Sequence, residues 1–204
     1  MAFSTMDEIE FEFTLRPDPD PTLGRYVLAF EGRASGWDDT IGDERQIGNI
    51  RGHRVDLVTA VSDRLDQVEL LESLTPEIAD FSHVVLADSR CLLPSTAEEE
   101  PPTECDCLVY IAELWVEPEY RGRGIGTRFL QRLGATIDLN RCLIALKALP
   151  LREDHARVST DEEVERVKRF YEQIGFERAG GDYMIKDARH CEAMKKRLAG
   201  RRPL

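Results

Sequence analysis

Long apolar runs are missing from this 204-residue sequence. No stretch approaches the roughly 18 consecutive apolar positions that a membrane-crossing helix needs. The opening segment, Met1 to Asp20, is acidic and lacks the charged-then-apolar pattern of a secretory leader. The expectation is a cytoplasmic protein with no membrane partner. Cysteine is sparse: five residues, Cys91, Cys105, Cys107, Cys142 and Cys191, with no Cys-x-x-Cys spacing. The odd number argues against a disulfide framework and the spacing against a zinc site, so no metal is expected. Cys105 and Cys107, two apart, read as small packed residues on one strand face. Basic residues are also in short supply, 27 Lys and Arg against 39 Asp and Glu, for a net charge of -12. Phosphate-backbone binding needs a basic face, so nucleic acid is not expected as a partner. The acidity leaves two readings open, a preference for cationic substrates and simple solubility.

Two nucleotide-binding signatures are absent as well. There is no Gly-Lys-Ser/Thr ending of a P-loop and no Gly-x-Gly-x-x-Gly opening of a dinucleotide fold. In their place the stretch Leu108 to Leu130 reads as a strand, a stop at Pro118, and a turn whose glycines Gly122, Gly124 and Gly126 run into an amphipathic helix. Glycines let a backbone turn sharply and approach a ligand closely, and the first N–H groups of a helix have no partner and carry partial positive charge. Arg121 and Arg123 add full charges there. The stretch is an anion-binding turn.

The segment Arg121-Gly122-Arg123-Gly124-Ile125-Gly126 fits the pattern Arg/Gln-x-x-Gly-x-Gly/Ala, and it follows Leu114-Trp115-Val116-Glu117-Pro118-Glu119-Tyr120. Together they resemble the acyl-CoA loop and preceding strand of the GNAT-type N-acetyltransferase superfamily. Downstream, Phe170-Tyr171-Glu172-Gln173-Ile174-Gly175-Phe176 resembles that family's second block, a Tyr-bearing helix that ends at Gly-Phe and enters a strand. Type, order and spacing of the two blocks agree with the family. The resemblance spans about Cys107 to Lys186.

Around these blocks, local pattern predicts the elements. Glu8 to Leu15 alternates strictly, as a half-buried strand does. Pro17-Asp18-Pro19-Asp20-Pro21 breaks it, and a second strand follows over Arg25 to Gly32. Ala34 to Glu44 reads as a Gly- and Asp-rich loop, and Ile47 to Thr59 as a third strand in which Gly48 and Gly52 mark a bulge or tight hairpin. Leu65, Val68, Leu71 and Leu74 recur every three residues, as in a helix capped by Ser62. Thr75-Pro76-Glu77 starts another helix, whose run Phe81 to Leu86 fits helix or strand equally. Pro94 to Glu104 is a solvated loop.

The helix after the glycine turn carries Ile125, Phe129, Leu133 and Ile137 on one stripe, and Gly134, which weakens it by about 1 kcal/mol relative to Ala, suggests close packing or a bend. Cys142 to Leu149 is a strand buried on both faces. Thr160-Asp161-Glu162-Glu163 matches a capping box ahead of a helix that stops at Gly175, and Phe176 to Lys186 is a hairpin around Gly180-Gly181. Ala188, Cys191, Met194 and Leu198 form a weak helical stripe in the tail 187–204, which either covers the sheet or meets a second subunit in a homodimer.

The resemblance implies an α/β (α+β) fold over 1–204 as one domain, with a mixed, twisted central sheet, helices on both faces, and splayed strands holding acyl-CoA. It implies acetyl-CoA as acyl donor and an amine as acceptor. Pantetheine would pair with the strand at Leu114, Trp115 and Val116, and the pyrophosphate would rest on the N–H groups of Arg121, Gly122, Arg123, Gly124, Ile125 and Gly126. Tyr171 matches the family's proton donor, and a backbone N–H near Val116 would polarise the thioester carbonyl. Glu113 is the candidate general base, with an ordinary carboxylate on a solvated sheet face as the competing reading. Glu153, Asp154 and His155 are alternatives for the base. The Asn that the family often carries seven residues before the Tyr is replaced by Val164. Two functions follow: an acetyl-CoA-dependent N-acetyltransferase, or a non-catalytic acyl-CoA-binding regulatory module on the same fold. A different acyl donor is a third option, because the loop recognises CoA and not its acyl group.

Overall fold

Alternation near the start of the chain becomes strand β1 (Glu10–Pro17) in the computed structural model, which describes residues 9–38, 42–86, 105–150 and 159–187. β1 pairs antiparallel with β2 (Val27–Asp38), from Glu10 opposite Ser35 to Pro17 opposite Leu28. The intervening turn is held by its own aspartates: Asp18 Oδ1 accepts from the Asp20 N–H at 2.9 Å, and Asp20 Oδ1 from the Thr22 N–H at 2.8 Å. β2 continues through Ala34 to Asp38, where composition predicts a loop. Pairing with β1 accounts for the difference, since Ala34 lies opposite Phe11 and is fully buried. β3 (Asp43–Asp56) passes through Gly48 and Gly52 as one strand, so no hairpin turn falls at either.

Strand β4 (Cys107–Val116) matches the central strand read from the sequence, and the chain then adds β5 (Cys142–Lys147), β6 (Glu177–Gly180) and β7 (Tyr183–Asp187). The strands form a mixed seven-stranded sheet in the order β1-β2-β3-β4-β5-β7-β6, flanked by helices, which agrees with the expected architecture. The residues cluster into two compact units. One comprises the described residues of Met1–His53 and Ile111–Asp138, the other those of Arg54–Tyr110 and Leu139–Leu204, so β4 contributes to both.

In the first unit, helix α4 (Ile125–Thr136) buries Ile125, Phe129 and Leu133, three of the four predicted stripe residues, and Ile137 follows at its C-cap. Phe129 meets the rings of Phe11 and Phe13 edge-on, at centroid distances of 5.0 and 6.3 Å. Full burial of such a side chain contributes about 1.5–3 kcal/mol, and each favourable ring contact adds roughly 0.5–1.5. Gly134 is exposed, so close packing does not explain it.

The second unit opens with three short helices, α1 (Leu57–Ser62), α2 (Gln67–Glu72) and α3 (Pro76–Phe81). The single helix predicted behind Ser62 is not formed. Ser62 ends α1, and the caps are Asp56 and Asp66, which accept from the N–H groups of Thr59 and Glu69 at 2.9 and 3.0 Å. Of the period-three stripe only Leu71 is buried, beside Leu70 outside it, while Leu65 and Val68 are exposed, so the stripe is not packed as one face. Thr75 caps α3 as predicted, and Ser82–Leu86 continues as a π-helical turn, which settles that run as helical. Helix α5 (Asp161–Gln173) starts with the predicted capping box between Thr160 and Glu163, and β6 and β7 pair antiparallel around Gly180 and Gly181.

The expectation that the cysteines form no disulfide framework does not hold for one pair. Cys107 and Cys142 are joined as a disulfide across the first residues of β4 and β5. Odd cysteine number does not exclude a single bridge, and adjacency of the strands supplies the partner that spacing conceals. Cys105 is buried and outside the bridge. The tail 187–204, beyond its first residue, and the segment holding Glu153, Asp154 and His155 lie outside the described residues.

Candidate functional site

β4 changes character along its length. Cys107 to Ile111 are buried, while Ala112 to Val116 are half-buried, so the strand becomes accessible where Leu114, Trp115 and Val116 stand. Its pairing with β3 persists past the strand end, since the Glu117 N–H donates to the Ile47 carbonyl at 2.9 Å, and Arg45 Nη2 meets Glu117 Oε1 at 2.7 Å.

The turn that follows is ordered by short-range contacts. Pro118–Tyr120 forms one 3-10 turn, and Tyr120 is buried, with the Arg123 guanidinium over its ring at 5.2 Å from the centroid. Arg121 folds back so that its Nε donates to the Val116 carbonyl at 2.8 Å. Gly122 and Gly124 have φ of 75° and 77°, the left-handed region that only glycine adopts readily. A Cβ on either would meet no atom of the described residues within 4 Å, so backbone conformation, and not crowding among them, requires glycine.

Gly124 is the N-cap of α4 and has no side chain with which to cap it. The first intrahelical bond joins the Arg128 N–H to the Gly124 carbonyl at 3.0 Å, and the N–H groups of Ile125, Gly126 and Thr127 therefore have no acceptor within the helix. Amide donors, the positive end of a 12-residue helix, and Arg121 and Arg123 converge on one turn. Such an arrangement has the charge and the amide donors that suit a phosphate-type anion.

Glu113 sits in the half-buried part of β4, one residue before Leu114. One of its carboxylate oxygens accepts from Asn49 Nδ2 at 2.8 Å, and the other meets Arg51 Nη2 at 2.6 Å. Its side chain is 20% exposed, against 65% for Arg51. Glu113 is thus held from both ends by β3, unlike a carboxylate on an open solvated face. Asn49 and Arg51 escaped the sequence reading. The available signal was their alternation with Gly48, Ile50 and Gly52, which marks one polar strand face but not what it faces.

Tyr171 belongs to the second unit, on the buried side of α5. It is 7% exposed, with the rings of Phe170 and Phe176 at 5.0 and 5.5 Å. Burial raises its phenol pKa above the ordinary value near 10, so the hydroxyl keeps its proton throughout the neutral range. Val164 is half-buried on the same helix. Among the described residues, no group of three or more His, Cys, Asp or Glu is placed to hold a metal ion, and no helix is long and apolar enough to cross a membrane.

Residues 83–178 match the family model described as an acetyltransferase (GNAT) domain. No curated protein matches the chain in sequence. Similar solved structures include AtaTR bound with AcCoA, at 13% identity and a TM-score of 0.45, covering 93% of this chain and 99% of that one. Another is NAA60 from Arabidopsis thaliana in complex with a bisubstrate analogue, at 13% identity and a TM-score of 0.42, covering 87% and 99%. A third is a KacTA–DNA complex, at 10% identity and a TM-score of 0.43, covering 93% and 99%.

Proposed function

We propose, from the match of residues 83–178 to the GNAT acetyltransferase domain model, that the protein transfers an acetyl group from acetyl-CoA to a primary amine of a small molecule or peptide by direct attack. The observation that carries this reading is the junction of β4 and α4: two left-handed glycines, an uncapped helix start and two arginines at one turn of a chain whose net charge is -12. A CoA pyrophosphate has the charge and shape for such a turn. Pantetheine runs along Leu114, Trp115 and Val116, pairing with the backbone as an added strand. Arg121, whose Nε holds the Val116 carbonyl in the free protein, then gives up that carbonyl and turns to the pyrophosphate.

In the reaction the amine nitrogen bonds the thioester carbon and the C–S bond breaks. Glu113 takes the proton that the amine loses, directly or through a water, and the CoA thiolate gains one. Tyr171 donates to that thiolate. A phenol is a weaker acid than a thiol, about 10 against 8.5 in ordinary pKa, and burial widens the gap. Tyr171 therefore acts by hydrogen-bonding the thiolate as it forms, ahead of full proton transfer. The acidity of the chain favours a cationic acceptor over a nucleic acid.

Acetyl-CoA is expected to raise the melting temperature of the wild type, and Gly124→Glu to abolish that rise, because it sets a negative charge in the turn. An unchanged rise in the variant sinks the loop assignment. Release of CoA thiol across a panel of amines, compared between wild type and Tyr171→Phe, tests the chemistry. Binding of acetyl-CoA without turnover of any amine would support a regulatory acyl-CoA-binding module instead.

A further inference from the structure

Resting on the reading of Glu113 as the base, we propose that Asn49 and Arg51 are positioning residues that hold the Glu113 carboxylate in one orientation for the incoming amine. Side chains two apart on a strand share a face, and β3 and β4 are neighbours in the sheet, so Asn49 and Arg51 reach Glu113 together. They take different oxygens, Asn49 Nδ2 at 2.8 Å and Arg51 Nη2 at 2.6 Å. The terminal torsion of a carboxylate is broad, and a single donor leaves it free to swing; one donor on each oxygen fixes the plane of the group. Each oxygen keeps a second lone pair, and one of these serves the amine proton.

The two donors differ in kind. Asn49 contributes a neutral N–H, while Arg51 contributes a short, charge-assisted bond that suits an ionised carboxylate. Arg51 is 65% exposed, and an ion pair so open to water adds little to stability. Its use is in placing the carboxylate. A tie of similar length joins Arg45 on β3 to Glu117, the residue just past the end of β4, at 2.7 Å, and it provides the control.

The experiment measures kcat and KM by CoA-thiol release from acetyl-CoA, with the amine that turns over fastest among spermidine, L-lysine and a lysine-containing tripeptide. Asn49→Ala and Arg51→Ala are expected to lower kcat about ten-fold, with KM for acetyl-CoA within about two-fold of wild type. Arg51→Lys recovers part of the loss, and Arg45→Ala leaves kcat within about two-fold. In a Glu113→Gln background, adding Arg51→Ala costs nothing more, since both changes remove one function. If Arg51→Ala costs the same with and without Glu113, or if only the melting temperature moves, the positioning role is overturned while Glu113→Gln remains slow. If Glu113→Gln is as fast as wild type, or no amine of the panel turns over, the reading of Glu113 as base fails, and the inference with it.

Discussion

Gly48 and Trp115 approach so closely that a Cβ on Gly48 would stand 2.9 Å from the Trp115 carbonyl oxygen, and 3.1 Å from Cε2 of Phe129. A backbone oxygen cannot swing aside as a side-chain tip can. Gly48→Ala must therefore push β3 away from β4 where the proposed pantetheine strand lies. Overpacking of this kind costs about 1–3 kcal/mol, or several degrees of melting temperature in a chain this size. Thermal unfolding with and without acetyl-CoA is expected to show both a lower midpoint and a smaller ligand-induced rise. A variant with wild-type values on both counts contradicts the close approach.

At Gly124 the constraint is of another kind. With φ of 77° and no atom of the described residues within 4 Å of a Cβ, Ala is disfavoured by its backbone, by about 1–2 kcal/mol. Asn visits the left-handed region more readily, so Gly124→Asn should lose less stability than Gly124→Ala in urea denaturation. The reverse order would mean that crowding, not φ, selects glycine there.

Tyr110, Tyr171 and Tyr183 share a pH dependence. Burial is the first cause that raises each phenol above its ordinary pKa near 10, with Glu77 adding to it for Tyr110 and the hydrogen bond to Asp80 for Tyr183. The folded state therefore holds these protons at pH values where the unfolded chain has released them. Stability is complete below pH of about 10 and falls as pH rises beyond it, because unfolding then releases protons. Tyr171→Phe removes one such group. Its unfolding free energy should fall less steeply between neutral and strongly alkaline pH than that of the wild type, and equal slopes would show that Tyr171 is not buried in this way.

The Cys107–Cys142 bridge closes a sequence separation of 35 residues. On the chain-entropy account such a loop is worth about 4 kcal/mol of stability. Alkylation under denaturing, non-reducing conditions is expected to label Cys105 and spare Cys107 and Cys142. Cys142→Ser should lower the denaturation midpoint markedly. Labelling of all three cysteines would show the pair to be reduced in solution.

Legibility in the sequence followed the range of each interaction. The capping box of Thr160 and Glu163, the Thr75 cap with Pro76 behind it, the hairpin at Gly180 and Gly181, and the stripe of Ile125, Phe129 and Leu133 were all readable. Each is set by residues within a turn or two of one another. Ser62 misled because Asp56 and Asp66 are equally good caps, and the choice among them depends on which leucines the rest of the unit buries. The strand at Ala34 to Asp38 was hidden for the same reason, since its Gly and Asp content suits a loop until β1 offers a partner.

The sequence by itself determined the turn from β4 into α4, because positive φ at Gly122 and Gly124 and an uncapped helix start are local properties of glycine. Tertiary structure alone decided what surrounds it. Asn49 meets Glu113 across 64 residues of chain, Gly48 lies against Trp115, and Cys107 finds Cys142. These contacts depend on strand order and register, which arise from burying whole faces together and leave no mark in the spacing of any one segment.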